Sequence, residues 1–160
     1  MLSKASITRP ADTTTYAAGD VVGTVSTAVI EFTNCLRAPK SAGLILGARL
    51  IDEAAQTLRG VFELWLFSSP ITVIADNAPW CPTHAEVESL LAVIQFQDSP
   101  IVGLSGAGVA GNLVFPARNV NRPFQTVGST SLYGYLVVRN AYVPISQEKF
   151  QVALGSETAR

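Results

Sequence analysis

The chain has 160 residues and carries 11 basic against 12 acidic side chains, so its formal net charge is −1. This balance gives no electrostatic reason to expect nucleic acid or an anionic membrane as the main partner. Charged residues make up only 14% of the chain, against about 25% in an average soluble domain. Either other subunits cover part of the surface, or the chain is a compact, well-buried β domain.

Two further features of the composition exclude classes of protein. No run approaches the roughly 18–20 apolar residues that span a bilayer, and the N-terminus lacks the apolar region of a signal peptide. We therefore expect a protein that is made in a cytoplasm and has no membrane partner. Cys35 and Cys81 are too few for a disulfide framework, so we expect both to be reduced.

The N-terminal segment predicts extended chain, then a turn, then a strand. Pro10 fixes its own φ and favours extended geometry at Arg9, and the threonine run that follows favours extended backbone. The sequence Ala-Gly-Asp at residues 18–20 is typical of a turn, and Val21 begins a strand. We predict that residues 1–15 form a polar, extended N-terminal arm without core residues, whose deletion leaves the domain folded.

Short apolar runs separated by Gly, Pro, Asn and Ser continue along the rest of the chain. The run at 61–67 is almost continuously apolar and has the length of a strand buried on both faces. This spacing indicates a sandwich or a barrel, and we predict a single all-β domain over residues 1–160, a β-sandwich of jelly-roll type. The predicted strands are 25–32, 44–52, 61–67, 71–75, 92–96, 111–115, 132–139 and 150–154.

One segment predicts a helix. Thr83 is a favourable N-cap, and Glu86 lies three residues on, as a capping box requires. Val87, Leu90, Leu91 and Ile94 then recur at helical spacing. We predict one short helix around residues 87–91, followed directly by a strand.

Three patterns suggest chemistry, and each has a simpler structural interpretation. Residues 106–111 match G-x-G-x-x-G, but a strand and a proline follow where a nucleotide site needs a helix. Cys81 and His84 have the spacing of half a zinc site, but His84 is the only histidine. Asp76 beside Trp80 resembles a glycan-binding or catalytic cleft, but an Asx-type turn between a strand and the helix is the favoured explanation. We predict no enzyme activity, no cofactor and no metal.

The basic residues indicate an interaction surface, because most of them are arginines, which favour bidentate contacts at protein interfaces. Ordinary solvated surface charge is the alternative. Arg9 is the strongest candidate, since it lies in the predicted arm next to Pro10. The candidate interface residues are Arg9, Pro10, Tyr16, Arg118 and Arg122.

Three segments together resemble a known group of proteins. The stretch TRPADTTTYAAGDVV at 8–22, the apolar LWLF at 64–67 and DNA at 76–78 are similar to segments of small structural proteins from tailed bacteriophages. The resemblance covers roughly the first two thirds of the chain, and it lies in strands and turns.

The resemblance implies a capsid decoration (cement) protein, which binds the outer surface of the major capsid lattice and stabilises it. Its partners would be the major capsid protein and itself, since such proteins commonly form homotrimers, and its location would be the virion. A tail, baseplate or head-fibre component is the first alternative. A glycan-binding module or an enzyme that acts on bacterial surface glycan is the second.

Overall fold

The computed structural model describes residues 1–54, 56, 59–72, 74–97, 101–102, 113–117, 120–126 and 128–158. Two antiparallel sheets pack face to face in this part of the chain, with one short helix, α1, at His84–Val87. The described strands are β1 (Leu2–Thr8), β2 (Val21–Val22), β3 (Ile30–Phe32), β4 (Ala42–Asp52), β5 (Phe62–Phe67), β6 (Leu90–Gln95), β7 (Ile101–Val102), β8 (Leu113–Pro116), β9 (Arg122–Gln125), β10 (Leu132–Val138) and β11 (Lys149–Thr158).

Each sheet is organised around one long strand. In the first sheet the order is β1-β11-β4-β8-β7, and β9 pairs with the other half of β4. In the second sheet the order is β2-β10-β5-β6, and β3 pairs with the other half of β10. The chain passes repeatedly from one sheet to the other, so the predicted all-β sandwich is confirmed.

The main core lies between the two sheets and follows from the alternation of side chains along each strand. Strand β5 shows this clearly: Phe62, Leu64 and Leu66 enter the main core, while Trp65 and Phe67 lie on the opposite face. That opposite face is also covered, because Ile71 and Trp80 pack across it in a second apolar cluster. The prediction of a strand buried on both faces is therefore confirmed.

The predicted N-terminal arm is wrong for its first half. Residues 2–8 form β1, which pairs in register with β11 along its whole length, from Leu2 opposite Gly155 to Thr8 opposite Lys149. Ser3 and Ile7 are buried in this strand. The segment is extended, as predicted, but its polar appearance hides a strand that closes one edge of the first sheet.

The helix is present but shorter and earlier than predicted. Thr83 caps α1, and its reciprocal bonds with Glu86 form the predicted capping box. The hydrogen bonds from Thr72 and Thr83 lower the pKa of Glu86 to about 2. Residues 90–95, which the helical spacing assigned in part to the helix, form β6, because pairing with β5 turns Ala92 and Ile94 into the core.

Other boundaries differ where loops replace strands or the reverse. Only Ile30–Phe32 of the predicted strand 25–32 is strand, and the described residues of 71–75 form none. Residues 122–125, for which no strand is predicted, form β9, which pairs with β4. The glycine-rich segment 103–111, including the G-x-G-x-x-G pattern, lies outside the described residues.

Candidate functional site

A group of polar side chains is buried where the end of β1 meets the loops at residues 9–20, 76–78 and 140–148. We call this group the buried polar cluster. Asp20 and Glu63 are also buried among the described residues, but the buried arginine lies in this cluster, which makes the cluster the best candidate for chemistry. The cluster consists of Arg9, Tyr16, Asp52, Asp76, Tyr142 and Glu148.

Arg9 is placed in the cluster by the continuation of the β1–β11 pairing. Its backbone N–H donates to the carbonyl of Glu148 at 3.0 Å, which turns the side chain inward and leaves the residue 2% exposed. The guanidinium donates to Asp76 Oδ2 at 3.0 Å and to the hydroxyl of Tyr16. Its Cζ atom also lies 4.7 Å from the centre of the Tyr16 ring, which is cation–π distance.

Asp76 is the shared acceptor of the cluster. It lies in a turn in which Asn77 has a left-handed φ of 59°, a conformation that asparagine tolerates. Oδ1 accepts hydrogen bonds from the Gly23 N–H at 2.7 Å and from the Tyr16 hydroxyl, while Oδ2 accepts the bond from Arg9. Both oxygens of this carboxylate therefore accept hydrogen bonds from groups within the protein.

Tyr142 connects the arginine side of the cluster to a pair of buried carboxyl groups. Its ring stacks on Tyr16 with 5.3 Å between centroids, and its hydroxyl donates to Glu148 Oε2 at 3.2 Å. The Gln56 amide donates to Glu148 Oε1 at 3.1 Å. Asp52 Oδ1 accepts from the Ala54 N–H at 2.8 Å, and its buried Oδ2 has no hydrogen-bond partner among the described groups.

The two carboxyl groups, Asp52 and Glu148, both have raised pKa values. Burial, followed by the charge of Asp52, raises the pKa of Glu148 to about 8, and burial also raises the pKa of Asp52. Two buried carboxylates that lie close together repel each other, so the folded state favours the protonated form of one of them. The phenols of Tyr16 and Tyr142 also have raised pKa values, first because of burial, and they stay neutral donors.

We expect the stability of the protein to fall as the pH rises from about 4.5 to 8, the ordinary and the folded-state pKa values of Glu148. In this window the folded state binds about one proton more than the unfolded chain, which removes about 1.4 kcal/mol of stability for each pH unit. The stability that Glu148 contributes is fully present below pH 4.5, its ordinary pKa, and is lost once the pH passes about 8, its pKa in the folded state. Urea unfolding at about pH 5.5, 7 and 8.5 measures the decrease.

Glu148→Gln is the control for this prediction, because it keeps a neutral, hydrogen-bonding side chain at the same place. Its stability should change much less over the same pH range, since one of the two coupled carboxyl groups is gone. Parallel decreases in the wild type and in Glu148→Gln would show that other groups cause the pH dependence.

The structure places the predicted interface residues differently from the prediction. Arg9 and Tyr16 are buried, so in this fold they offer no surface to a partner, and that part of the prediction is wrong. Arg9 donates hydrogen bonds to Asp76 and Tyr16, and Tyr16 donates one to Asp76. These bonds satisfy the polar groups of Arg9 and Tyr16 inside the fold. Pro10 is half-buried, Arg122 is exposed at the start of β9, and Arg118 lies outside the described residues.

Of the residues suspected of chemistry at 76–84, Trp80 is used for packing. Trp80 packs against the rings of Trp65, Phe67 and Tyr135 with centroid distances of 5.1–6.0 Å, so it is no free platform for a sugar. Cys81 is exposed and Cys35 is buried in the core. Within the described ranges, no group of three or more His, Cys, Asp or Glu side chains could hold a metal ion.

Sequence reasoning missed Asp52 and Glu148 as cluster members, because the local sequence carries no signal for their burial. Glu148 directly precedes β11 and Asp52 ends β4, and the two strands pair so that Phe150 lies opposite Asp52. An acid at the end of an apolar strand predicts an exposed charge, so only knowledge of this pairing brings the two together. The sequence suggests Asp76 as part of a cleft, but it gives no sign of the contact with Arg9, which is far away in the sequence.

Neither protein-family models, curated proteins nor solved structures give a match to this chain. In the part of the chain that the structure describes, no helix is long and apolar enough to span a membrane.

Proposed function

We propose that this chain is a structural virion protein of a tailed bacteriophage, and most specifically a capsid decoration protein. It would bind the outer surface of the major capsid lattice and reinforce contacts between capsid subunits. The proposal starts from the resemblance of the segments at 8–22, 64–67 and 76–78 to phage structural proteins.

One observation carries the architectural part of the proposal. The polar residues of the most distinctive sequence segments are used to hold the fold together. Arg9 and Tyr16 bind Asp76, which also accepts from the backbone of Gly23, and Glu86 binds Thr83 in the capping box. The polar side chains of these segments are occupied in stabilising the fold, which favours a structural role for the protein over a catalytic one.

The composition supports an assembled protein. Charged residues are 14% of the chain, well below the roughly 25% of an average soluble domain, as expected where neighbours cover part of the surface. On a symmetric lattice each weak contact is repeated, so multivalency raises the total strength of binding. A homotrimer at points of local three-fold symmetry follows from the resemblance alone.

Copy number per particle tests this function. Quantitative mass spectrometry of purified particles compares this chain with the major capsid protein, and we expect a ratio near one or another large fraction set by the lattice. A few to a few dozen copies per particle would instead assign the chain to the tail, portal or fibres. Absence from particles would overturn the structural role altogether.

A further inference from the structure

The outer face of the first sheet, which points away from the core, is apolar at one end. In the strand register Leu2 of β1, Gly155 of β11 and Gly47 of β4 lie side by side on this face. Leu2 is 64% exposed and the adjacent Leu46 is 48% exposed. A solvated sheet face normally presents polar side chains. The exposed side chains at this end of the face are instead the two leucines.

A β-bulge is responsible for part of this exposure. The β4–β11 register shifts at Gly155 and Ser156, so that Gly155 lies opposite Gly47 while Ser156 lies opposite Ile45. Leu46 is the extra residue, and it projects outward beside Gly47, while Ile45 is fully buried. Bulges re-aim side chains and often lie next to functional sites, and this one directs a leucine into solvent.

The two glycines give the apolar row the shape of a shallow depression of about 390 Å³. A side chain at Gly47 would meet open space, and a side chain at Gly155 would meet only the Gly47 backbone, at 3.7 Å. Neither glycine is therefore required by packing within the protein. Because the two glycines have no side chains, there is room here for a side chain of another protein. The depression is lined by Leu2, Leu46, Gly47, Ala48, Arg49, Ala153 and Gly155.

Two cations flank the depression. Lys4 of β1 and Arg49 of β4 lie in the next row of the same face, on either side of Ala153 of β11. Two strand spacings separate their backbones, or about 10 Å. Among the described residues the ion pairs join Arg9, Arg139 and Lys149 to acids, so neither Lys4 nor Arg49 is paired within the described part of the chain.

We propose that this apolar depression, together with Lys4 and Arg49, is the surface that docks on the capsid. This inference rests on the proposed function and names the contact face. The partner is a segment of the major capsid protein that inserts an aliphatic side chain between Leu2 and Leu46 and places carboxylates against the two cations. A second copy of this chain fits less well, because a two-fold contact through this face would bring like charges together.

Binding to capsids assembled without this chain tests the proposal, with co-sedimentation as the readout. Leu46→Asp, and separately the double variant Lys4→Glu/Arg49→Glu, should each weaken binding by about tenfold or more, since an exposed apolar anchor or a charge pair each contributes on the order of 1.4 kcal/mol. Wild-type binding should also weaken as salt rises, because the cations are exposed.

Two control variants introduce the same kinds of substitution elsewhere on the surface. Val25→Asp introduces the same charge at a side chain that is 78% exposed, in the turn before β3, and Arg37→Glu reverses an exposed cation beyond β3. Both should bind like the wild type. Because all the substituted side chains are exposed, thermal unfolding of every variant should match that of the wild type, which shows that any loss of binding is local.

The outcomes separate the docking face from the function. If the wild type binds capsids and the Leu46 and Lys4/Arg49 variants bind equally well, the face is wrong while the decoration role stands. If the wild type does not bind capsids, the proposed function fails and the docking face fails with it. If the variants lose self-association in gel filtration but keep capsid binding, the face is a contact between copies, which overturns the capsid as its occupant.

Discussion

Deletion of residues 2–8 is expected to destabilise the protein severely, so that it no longer unfolds cooperatively near room temperature. The deletion removes the whole of β1 and leaves β11 as the edge of the first sheet. It also removes Ile7, which belongs to the main core. Losing a single buried isoleucine side chain costs about 2–5 kcal/mol, and a domain has only about 5–15 kcal/mol in total.

Thermal and urea unfolding monitored by circular dichroism measure this effect. Two point variants separate the strand from its core residue: Ile7→Ala should lower stability by about 2–4 kcal/mol, and Ser6→Ala, at an exposed neighbour on the same strand, should change it by less than about 0.5 kcal/mol. A truncated protein with the midpoint of the wild type would mean that β1 is the dispensable arm that its sequence suggests.

The error about the N-terminal arm has a physical origin. The residues of β1 that face inward are Ser3, Ala5 and Ile7, so only one of them is strongly apolar, and the alternation that predicts a strand is faint. The strand forms because β11, at the other end of the chain, supplies its hydrogen bonds. Such long-range pairing leaves little trace in the local sequence.

The helix boundary shows the opposite problem, in which one run fits two periods. Residues 87, 90, 91 and 94 repeat at helical spacing, but Ala92, Ile94 and Phe96 repeat at strand spacing in the same stretch. Pairing with β5 decides in favour of the strand. The capping box was predictable because it is local, and the strand at 61–67 was predictable because its apolar run is long enough to leave no alternative.

The candidate site was the hardest part to predict, since charge in a sequence indicates exposure. Arg9 and Asp76 lie 67 residues apart, and each alone is typical of a surface residue. Their meeting depends on both the β1–β11 pairing and the turn at Asp76. The cluster connects β1, at the edge of the first sheet, to the segment around Asp76, which lies between two residues that cover the outer face of the second sheet, Ile71 and Trp80. Breaking the cluster should therefore lower the stability of the whole domain.

Replacement of Asp76 by Ala is expected to cost about 3–5 kcal/mol, because it removes the buried counter-ion of a buried guanidinium. Both side chains of the pair are almost fully shielded, with exposures of 0% for Arg9 and 4% for Asp76. The Gly23 N–H and the Tyr16 hydroxyl lose their acceptor in the same change. The thermal midpoint should fall by about 10 °C, at roughly 2–4 °C per kcal/mol for a domain of this size.

Asp12→Asn is the matched control, since Asp12 also contacts Arg9, at 3.4 Å, but is 44% exposed. An exposed pair contributes about 0–1 kcal/mol, so the thermal midpoint of this variant should be close to that of the wild type.

A double variant tests whether Arg9 and Asp76 act as a unit. Arg9→Met/Asp76→Leu should lose less stability than the sum of the losses in Arg9→Met and Asp76→Leu, because no unpaired charge then stays buried. Additive losses would show that Arg9 and Asp76 act separately, and the cluster would then be a set of neighbours rather than a coupled unit.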